Sequence, residues 1–307
     1  MSRIHEALKR AEEERIATQH GTYVEVAPAE PQVYTNPSAT VALDAPSKAH
    51  SATASSPASL TFDMLLAQAV QTKWSPDPKT MLFFDEDQQA FGTEEFRTLR
   101  SRLYQIRERQ PLKKLMVSSA LPKEGKSFVS SNLAQAMVRQ HGRKALLIDA
   151  DLRASQLHRT LGTSATPGLA EYLLGENDEC AVMQRGPMEN LFFIPAGRLV
   201  SNPAELIANG RLKTLLNRLE PLFDWIIIDS PPAVPISDAA LLANYCDGVL
   251  MVVRSNATPF DIARKARKEF KDAALVGVVL NGVEGGSSYS QYYYAAYGSE
   301  ARTGAKK

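Results

Sequence analysis

The apolar residues from about position 81 onward fall into short continuous runs, and longer segments with helical periodicity separate one run from the next. Short apolar runs that end at polar or turn residues are typical of strands buried on both faces of a parallel sheet. Five buried strands are predicted, at 115–117, 144–153, 223–229, 248–254 and 276–281. Because strands and helices alternate, the economical fold is a three-layer α/β domain with a mainly parallel sheet and right-handed crossovers.

Two helical segments flank the first predicted strand. The segment 94–107 repeats apolar residues at the spacing of one helix face, and its predicted buried stripe is Phe96, Leu99, Leu103 and Ile106. A second helix begins at Ser127, after the strand and a loop, with Val129, Leu133, Ala136 and Met137 toward the core. On another face of the first helix, Glu94 accompanies Arg97 and Arg100. By pattern alone, this charge set is a solvated surface.

The N-terminal part of the chain has a different character. Residues 1–19 predict a charged amphipathic helix, which is marginal alone and therefore either docks onto another surface or frays. Residues 20–57 are rich in Ala, Pro, Ser and Thr, a composition that cannot bury enough surface to offset the entropy of ordering. With a short helix at 60–70 and a proline-interrupted stretch, residues 20–80 are interpreted as a largely disordered linker. The compact domain is predicted at 81–285.

Composition narrows the function classes. The chain of 307 residues is 44% hydrophobic and 22% charged, which is ordinary for a soluble globular protein. A net charge of +1 argues against global electrostatic attraction to nucleic acid or membrane. No apolar run approaches the ~20 residues of a membrane helix, and acidic residues interrupt the N-terminal region where a signal peptide would lie. Cys180 and Cys246 are expected to be free thiols in a reducing compartment, so a cytoplasmic location is predicted.

The loop after the first strand carries the strongest candidate chemistry. The stretch 120–127 has phosphate-loop (P-loop) spacing, A-x-x-x-x-G-K-S, with alanine in place of the usual first glycine. A loop that enters a helix directs backbone N–H groups and the positive end of the helix dipole at one point, where phosphates bind. The predicted nucleotide-binding residues are Ala120, Pro122, Lys123, Glu124, Gly125, Lys126, Ser127 and Phe128, together with Asn281 at the end of the last strand.

Three aspartates follow the ends of two further predicted strands. Asp149 and Asp151 end the second strand, and Asp229 ends the third in a Walker B-like pattern. Ligands of open α/β sheets bind at the carboxyl ends of the strands. The combination predicts a nucleotide and Mg²⁺ site on a P-loop NTPase-like domain, with ATP as the expected nucleotide.

The chain ends in a tyrosine-rich tail, predicted at 286–307 after Gly285 and Gly286. Its clustered tyrosines lie between Gly/Ser residues and a charged terminus, with no aliphatic partners nearby in sequence. This pattern favours a flexible, exposed tail over a docked edge strand. The tyrosines are Tyr289, Tyr292, Tyr293, Tyr294 and Tyr297.

From about residue 91 onward, the ordered set of motifs resembles the cytoplasmic domain of the bacterial tyrosine kinases (BY-kinases) of capsule and exopolysaccharide synthesis. The motifs are E-x-x-R-x-x-R at 94–100, the loop at 120–127, LIDADLR at 147–153, IDSPP at 228–232 and the tyrosine tail. The resemblance implies ATP-dependent autophosphorylation of the five tail tyrosines. It also implies that Glu94, Arg97 and Arg100 build a ring-shaped oligomer, which replaces the solvated interpretation of these three residues.

Roles for the site residues follow from phosphoryl-transfer chemistry. Lys126 is expected to stabilise charge on the transferring phosphoryl group, and Mg²⁺ is expected at Ser127, Asp151 and Asp229. Asp149 is the candidate acceptor of the tyrosine proton, although Asp149 and Asp151 could exchange roles. Relatives of this group often carry fused membrane helices, so a separate membrane chain-length-determinant or co-polymerase protein is the expected activator.

Two other functions stay open at this point. A partitioning or division-site ATPase would carry a signature lysine directly after the first small residue of the loop, where this chain has Leu121. Such ATPases also lack a tyrosine cluster. A non-catalytic nucleotide-binding regulator that only scaffolds polysaccharide assembly is disfavoured by the intact Lys126, Ser127 and three acids.

Overall fold

The structure is a computed structural model that describes residues 60–78, 80–84, 92–270 and 273–283. The helix predicted at 1–19 and the tail tyrosines lie outside the described residues. No helix in these ranges is long and apolar enough to cross a membrane. Cys180 and Cys246 are both free thiols.

Eight strands form one sheet in the order β1-β4-β5-β3-β6-β2-β7-β8. All neighbouring pairs are parallel except β4 and β5, which are antiparallel. The strands are β1 (Val70–Gln71), β2 (Lys114–Ser119), β3 (Ala145–Asp149), β4 (Gln184–Arg185), β5 (Leu191–Ile194), β6 (Trp225–Asp229), β7 (Gly248–Arg254) and β8 (Leu275–Asn281). The five predicted strands and the mainly parallel α/β fold are therefore confirmed.

Ten α-helices and one short 3₁₀ helix (Glu220–Leu222) accompany these strands in the described ranges. The α-helices are α1 (Phe62–Gln68), α2 (Thr93–Arg107), α3 (Lys126–Val138), α4 (Leu157–Leu161), α5 (Leu169–Leu174), α6 (Glu179–Val182), α7 (Pro203–Ala208), α8 (Arg211–Leu219), α9 (Asp238–Ala243) and α10 (Phe260–Glu269). The predicted helices at 60–70, at 94–107 and after the loop correspond to α1, α2 and α3.

Two apolar layers pack against the two faces of the sheet. One contains Met116, Ile226 and Ile228 together with residues of α5, α7 and α8. The other contains Leu115, Ile227 and the inward side of α2 and α3. Consecutive residues of β6 thus contribute to opposite layers, as the two-residue period of a strand requires. The central strands are buried on both faces, which explains their continuous apolar sequence.

The folded domain begins earlier than the sequence suggested. Residues 60–78, assigned to the disordered linker, pack into the domain, where Leu65 is fully buried and Trp74 is 7% exposed. Trp74 contacts Phe193 edge-to-face at 6.2 Å between ring centroids, and β1 pairs with β4. The few apolar residues in this proline-containing segment bind to surfaces formed by distant parts of the chain, so their local pattern gave no sign of their burial.

The predicted strand at 276–281 is present as β8, but the prediction that it is buried is wrong. β8 is the last strand of the sheet, and Val278 and Leu280 are 55% and 58% exposed. A groove of about 700 Å³ lies between this edge and α2, with Leu99, Phe128 and Leu280 in its lining. An apolar run specifies a strand, whereas burial depends on what covers it, and on this side the described chain provides no further layer.

Candidate active site

The conformation of the phosphate loop requires a glycine at position 125. β2 ends at Ser119, and α3 begins at Lys126. Between them, Lys123 has φ of 65° and Gly125 has φ of 96°. A Cβ atom at position 125 would lie 2.0 Å from Nδ2 of Asn281. Gly125 is therefore required both for its left-handed backbone and for the close approach of Asn281.

Side chains from three segments fix the shape of this loop. The Glu124 side chain is 3% exposed and accepts a hydrogen bond from the Leu121 N–H at 2.7 Å and another from the Thr258 hydroxyl. Asn281 Nδ2 donates to the Glu124 carbonyl at 2.9 Å, and Arg254 donates to the Lys123 carbonyl at 3.1 Å. The Glu124 carboxylate thus serves the loop's geometry, and the ends of β7 and β8 support it.

The first turn of α3 brings a cation and a hydroxyl to the strand-end acids. Lys126 Nζ lies 3.0 Å from Oδ2 of Asp151 and 4.0 Å from Oδ2 of Asp229. The Ser127 hydroxyl donates to Oδ2 of Asp229 at 2.6 Å. Because β3 and β6 are parallel neighbours with Asp149 opposite Asp229, the three aspartates converge beside the loop, as the sequence predicted.

Asp149 is enclosed by hydrogen-bond donors. Its Oδ2 accepts from the Ser155 hydroxyl at 2.7 Å and from the Leu157 N–H at 3.3 Å, while its Oδ1 accepts from the Asp151 N–H at 3.2 Å. Ser155 is also 3.0 Å from Nδ1 of His158. Three hydrogen bonds thus fix the orientation of the Asp149 carboxylate, whereas Asp151 contacts Lys126 directly.

The electrostatics of the site reflect crowded, buried carboxylates. Burial, followed by the charge of Asp229, raises the pKa of Asp149 to about 7. Burial likewise raises the pKa of Asp229, against the opposing effect of Lys126. Burial alone would lower the pKa of Lys126, but the carboxylates of Asp229 and Asp151 outweigh it and leave the pKa above its ordinary value. The site therefore holds more negative charge than Lys126 can balance, which suits a bound cation.

The site suits Mg²⁺, which binds through protein, phosphate and water ligands together, better than a metal ion coordinated by protein side chains alone. Oδ1 of Asp229 is buried and has no hydrogen-bond partner among the described residues. The nearby Ser127 hydroxyl and Asp151 carboxylate are further oxygen ligands, the kind that Mg²⁺ prefers. No cluster of three or more His, Cys, Asp or Glu with metal-binding geometry occurs in the described ranges. That combination is expected for Mg²⁺, which uses one or two carboxylates together with phosphates and water.

The other predicted residues differ in how they relate to this site. Ala120 is fully buried beneath the loop, and Pro122 is exposed on it. The Phe128 ring packs on Phe96 of α2 at 5.8 Å between centroids, so its aromatic surface is used for packing. On α2, Glu94 and Arg97 form an exposed ion pair with each other.

Arg100 behaves differently from its two motif neighbours. It donates to the carbonyl of Ala136 in α3 at 2.7 Å. Within one subunit, the E-x-x-R-x-x-R motif therefore presents a charged pair to solvent and anchors its last arginine on the helix that follows the phosphate loop.

Several residues that shape the site were missed by sequence analysis. The Thr258 hydroxyl donates to Glu124 from far along the chain. The Ser155 hydroxyl donates to Asp149 from only six residues away, but no motif marked this loop serine. Asp238 forms an ion pair with Arg153. The two residues lie 85 positions apart in the chain, so no local signal predicted the pairing.

Comparisons with known proteins agree with this geometry. A family model described as an AAA domain matches residues 123–261, a range that includes the phosphate loop from Lys123 and all three aspartates. The kinase domain of the Escherichia coli tyrosine kinase ETK superposes with a TM-score of 0.62 and 31% identity, covering 66% of this chain and 80% of that one.

Two curated relatives differ in how much of their length this chain spans. It is 33% identical over 222 residues to the EpsB protein of Ralstonia nicotianae, which covers 69% of this chain but 29% of that protein. It is 33% identical over 213 residues to the tyrosine-protein kinase YwqD of Bacillus subtilis, covering 69% of this chain and 88% of YwqD. Since the match to YwqD extends over most of that kinase and the solved ETK domain shares the fold, the chain belongs to the bacterial tyrosine-protein kinase family.

Proposed function

We propose that this chain transfers the γ-phosphoryl group of ATP to tyrosines of its own C-terminal tail. The observation that carries the proposal is the convergence of Lys126, Ser127 and three strand-end aspartates beside a loop shaped for phosphate. Phosphoryl transfer requires little covalent chemistry from the protein, and positioning and electrostatic stabilisation supply most of the rate. A buried site that combines the Lys126 ammonium with three carboxylates is suited to both.

Each residue of the site has a proposed role. Backbone N–H groups from Lys123 onward bind the phosphates, and the Lys126 ammonium leaves Asp151 to stabilise the negative charge that develops on the transferring group. Ser127, Asp151 and Asp229 would hold Mg²⁺. When bound, Mg²⁺ neutralises phosphate charge and aligns the phosphates for in-line transfer.

The tyrosine hydroxyl attacks the γ-phosphorus, the bond to the β-γ bridging oxygen breaks, and ADP leaves. Asp149 accepts the hydroxyl proton, because its raised pKa of about 7 suits a group that takes up and releases a proton near neutrality. The alternative assigns this role to Asp151 and metal binding to Asp149. Three donors occupy three of the roughly four lone-pair positions of the Asp149 carboxylate, and the remaining position is available to a single proton.

The identity of the phosphorylated product tests this proposal. The purified chain is incubated with Mg-ATP, and mass spectrometry maps phosphate on it, beside a variant with Phe at positions 289, 292, 293, 294 and 297. We expect phosphotyrosine on the wild-type tail and its loss in the variant. Release of inorganic phosphate without phosphotyrosine would favour the partitioning-type ATPase. Neither product, even with a membrane activator present, would favour the non-catalytic regulator.

The family resemblance also supports a ring-shaped oligomer that dissociates when the tail is phosphorylated. In this proposal, Glu94, Arg97 and Arg100 hold unphosphorylated subunits together, and each tail enters a neighbour's site. Each phosphotyrosine adds about −1.5 to −2 charges, so a phosphorylated tail is repelled by the neighbour's buried aspartates. Mass in solution is measured before and after a tyrosine phosphatase. An unchanged mass would contradict this switch without contradicting the kinase activity.

A separate membrane co-polymerase protein is the proposed activator, with its cytoplasmic end ordering the nucleotide site, and regulation of exopolysaccharide or capsule synthesis is the proposed role. Family resemblance is the support for both. The expected result is that deletion of 1–57 preserves ATP binding and weakens recruitment by this partner in a membrane co-sedimentation assay. Undiminished recruitment would place the contact elsewhere in the chain.

A further inference from the structure

One ion pair between a buried carboxylate and a partly exposed arginine adjoins the site without being part of it. Arg153 donates from Nε to Oδ2 of Asp238 at 2.7 Å and from its terminal nitrogen to Oδ1 at 3.0 Å. The Asp238 side chain is 1% exposed, whereas that of Arg153 is 41% exposed. A carboxylate this deeply buried depends on its partner, and a two-bond pairing restrains orientation as well as distance.

The pair connects the two segments that carry the proposed metal ligands. Arg153 lies two residues after Asp151, in the segment that leaves β3. Asp238 begins α9, at the end of the segment that leaves β6 after Asp229. Prolines at 231, 232 and 235 restrict the backbone of that second segment. The ion pair therefore joins these two segments.

Such a connection would restrain Asp151 when Lys126 leaves it to contact the phosphates. In the structure, Lys126 is the cation in direct contact with Asp151, at 3.0 Å. When Lys126 turns to the phosphates, repulsion among Asp149, Asp151 and Asp229 would push Asp151 outward. Apart from Lys126, the Asp151 side chain accepts one hydrogen bond, from the Ala154 N–H at 3.0 Å, and that bond lies within its own segment. The Arg153–Asp238 pair connects this segment to another part of the fold.

We infer that Arg153 and Asp238 are positioning residues that hold Asp151 and Asp229 at the spacing Mg²⁺ requires. The inference rests on the proposed function, since it needs the metal site described there. Arg153 acts through Asp151, and its guanidinium is occupied by Asp238. Residues that orient metal ligands typically change metal affinity by about 10–100-fold when they are removed.

The test measures how much Mg²⁺ strengthens nucleotide binding. The Kd for ADP is determined by calorimetry in EDTA and in excess Mg²⁺, and the ratio of the two values is the metal-dependent gain. We expect Arg153→Ala to reduce this gain about tenfold or more while leaving the Kd in EDTA unchanged. Arg153→Lys, which keeps the charge but loses the planar two-bond geometry, should restore part of the gain.

A matched control separates positioning from general stability. Arg218 of α8 pairs with Glu179 of α6 at 2.5 Å, with side chains 41% and 8% exposed. Arg218→Ala should lower thermal stability as Arg153→Ala does and leave the metal-dependent gain unchanged. If Arg153→Ala does not fold, Asp238→Asn keeps the side-chain shape and should show the same reduced gain.

Three results would contradict the inference in distinguishable ways. An unchanged gain in folded Arg153→Ala and Asp238→Asn proteins would exclude a positioning role while the metal site stands. Equal weakening in EDTA and Mg²⁺ would show that Arg153 binds the nucleotide itself. A wild-type protein with no gain at all would remove the proposed metal site, and this inference with it.

Discussion

Strands β6 and β8 are both apolar runs that end in a polar residue, but their surroundings are very different. β6 reads Trp-Ile-Ile-Ile-Asp and is buried throughout, whereas β8 reads Leu-Val-Gly-Val-Val-Leu-Asn and is half-exposed. Both end in a polar residue that the sequence assigned to the site. At the end of β6, Asp229 is 1% exposed beside Lys126 and Ser127. At the end of β8, Asn281 supports the loop through the Glu124 carbonyl.

This difference supports the proposal that the chemistry takes place at the centre of the sheet. Neighbouring strands and two apolar layers exclude water around Asp229, so its interaction with Lys126 is stronger than it would be in solvent. The edge lacks that enclosure, and Asn281 is neutral, so it suits a supporting role. The structure therefore assigns charge handling to the covered strands and loop support to the uncovered one.

The largest expected effect concerns the segment that carries β1, at the opposite edge of the sheet. Deleting residues 1–80 would remove Leu65 and Trp74 from the core. Each such loss costs about 2–5 kcal/mol, and together they approach the total stability of about 5–15 kcal/mol typical of a domain. We expect this truncation to unfold or to melt far below the wild-type protein in circular dichroism.

Deletion of 1–59 is the control for that experiment, because the described sheet and core are formed from residue 60 onward. It should keep the wild-type melting temperature. Equal melting temperatures for the two truncations would contradict the assignment of residues 60–78 to the folded domain.

The next prediction compares Asp229, at the end of β6, with Asp224, just before its start. Asp229→Asn should reduce phosphotyrosine formation about 10²–10³-fold, the range seen when one electrostatic contact to a transition state is lost. Because burial raises the pKa of Asp229, its charge destabilises the fold near neutral pH, and the neutral variant should melt no lower than the wild-type protein. Activity assays and thermal melts of the same samples measure both effects.

Asp224, just before β6, provides the matched substitution. It pairs with Arg143 at 3.0 Å and accepts from the Lys144 N–H at 2.9 Å. Asp224→Asn should change activity by no more than a few-fold. A comparable loss of activity in both variants would mean that Asp229 acts through the fold rather than at the site.

The smallest predicted effects compare the loss of a buried side chain of β6 with the loss of an exposed side chain of β8. Ile227→Ala in β6 removes a fully buried side chain and should cost about 2–5 kcal/mol. Leu280→Ala in β8 removes one that is 58% exposed and should fall within about 0.5–1 kcal/mol of the wild-type protein. Urea unfolding measures both values, and similar costs would show that another surface covers β8 in solution.

The sequence predicted the parts of this structure that local patterns encode. Apolar runs gave the five strands 115–117, 144–153, 223–229, 248–254 and 276–281, because such runs fit a parallel sheet. Acids at strand ends gave the convergence at the site, because parallel strands bring their carboxyl ends to one edge. Gly125, Lys126 and Ser127 followed from the chemistry of phosphate binding.

What the sequence did not reveal depends on distant partners. The exposure of β8 depends on its position in the strand order, and the burial of Trp74 depends on Phe193, which lies far along the chain. The hydrogen bond of Thr258 to Glu124 and the pairing of Arg153 with Asp238 join segments far apart in sequence. Periodicity and motif spacing describe neighbours along the chain, so contacts of this kind appear only after folding.

The central claim is that Lys126 and the strand-end aspartates transfer phosphate to tyrosine. Its most direct test is the initial rate of phosphotyrosine formation from γ-labelled ATP at saturating Mg-ATP, for the wild-type protein, Lys126→Met and Lys213→Met, with folding checked for each. Lys213 is an exposed lysine of α8 and serves as the control. The account predicts a loss of about 10²-fold or more in Lys126→Met and a wild-type rate in Lys213→Met. A Lys126→Met rate within a few-fold of wild type would contradict it.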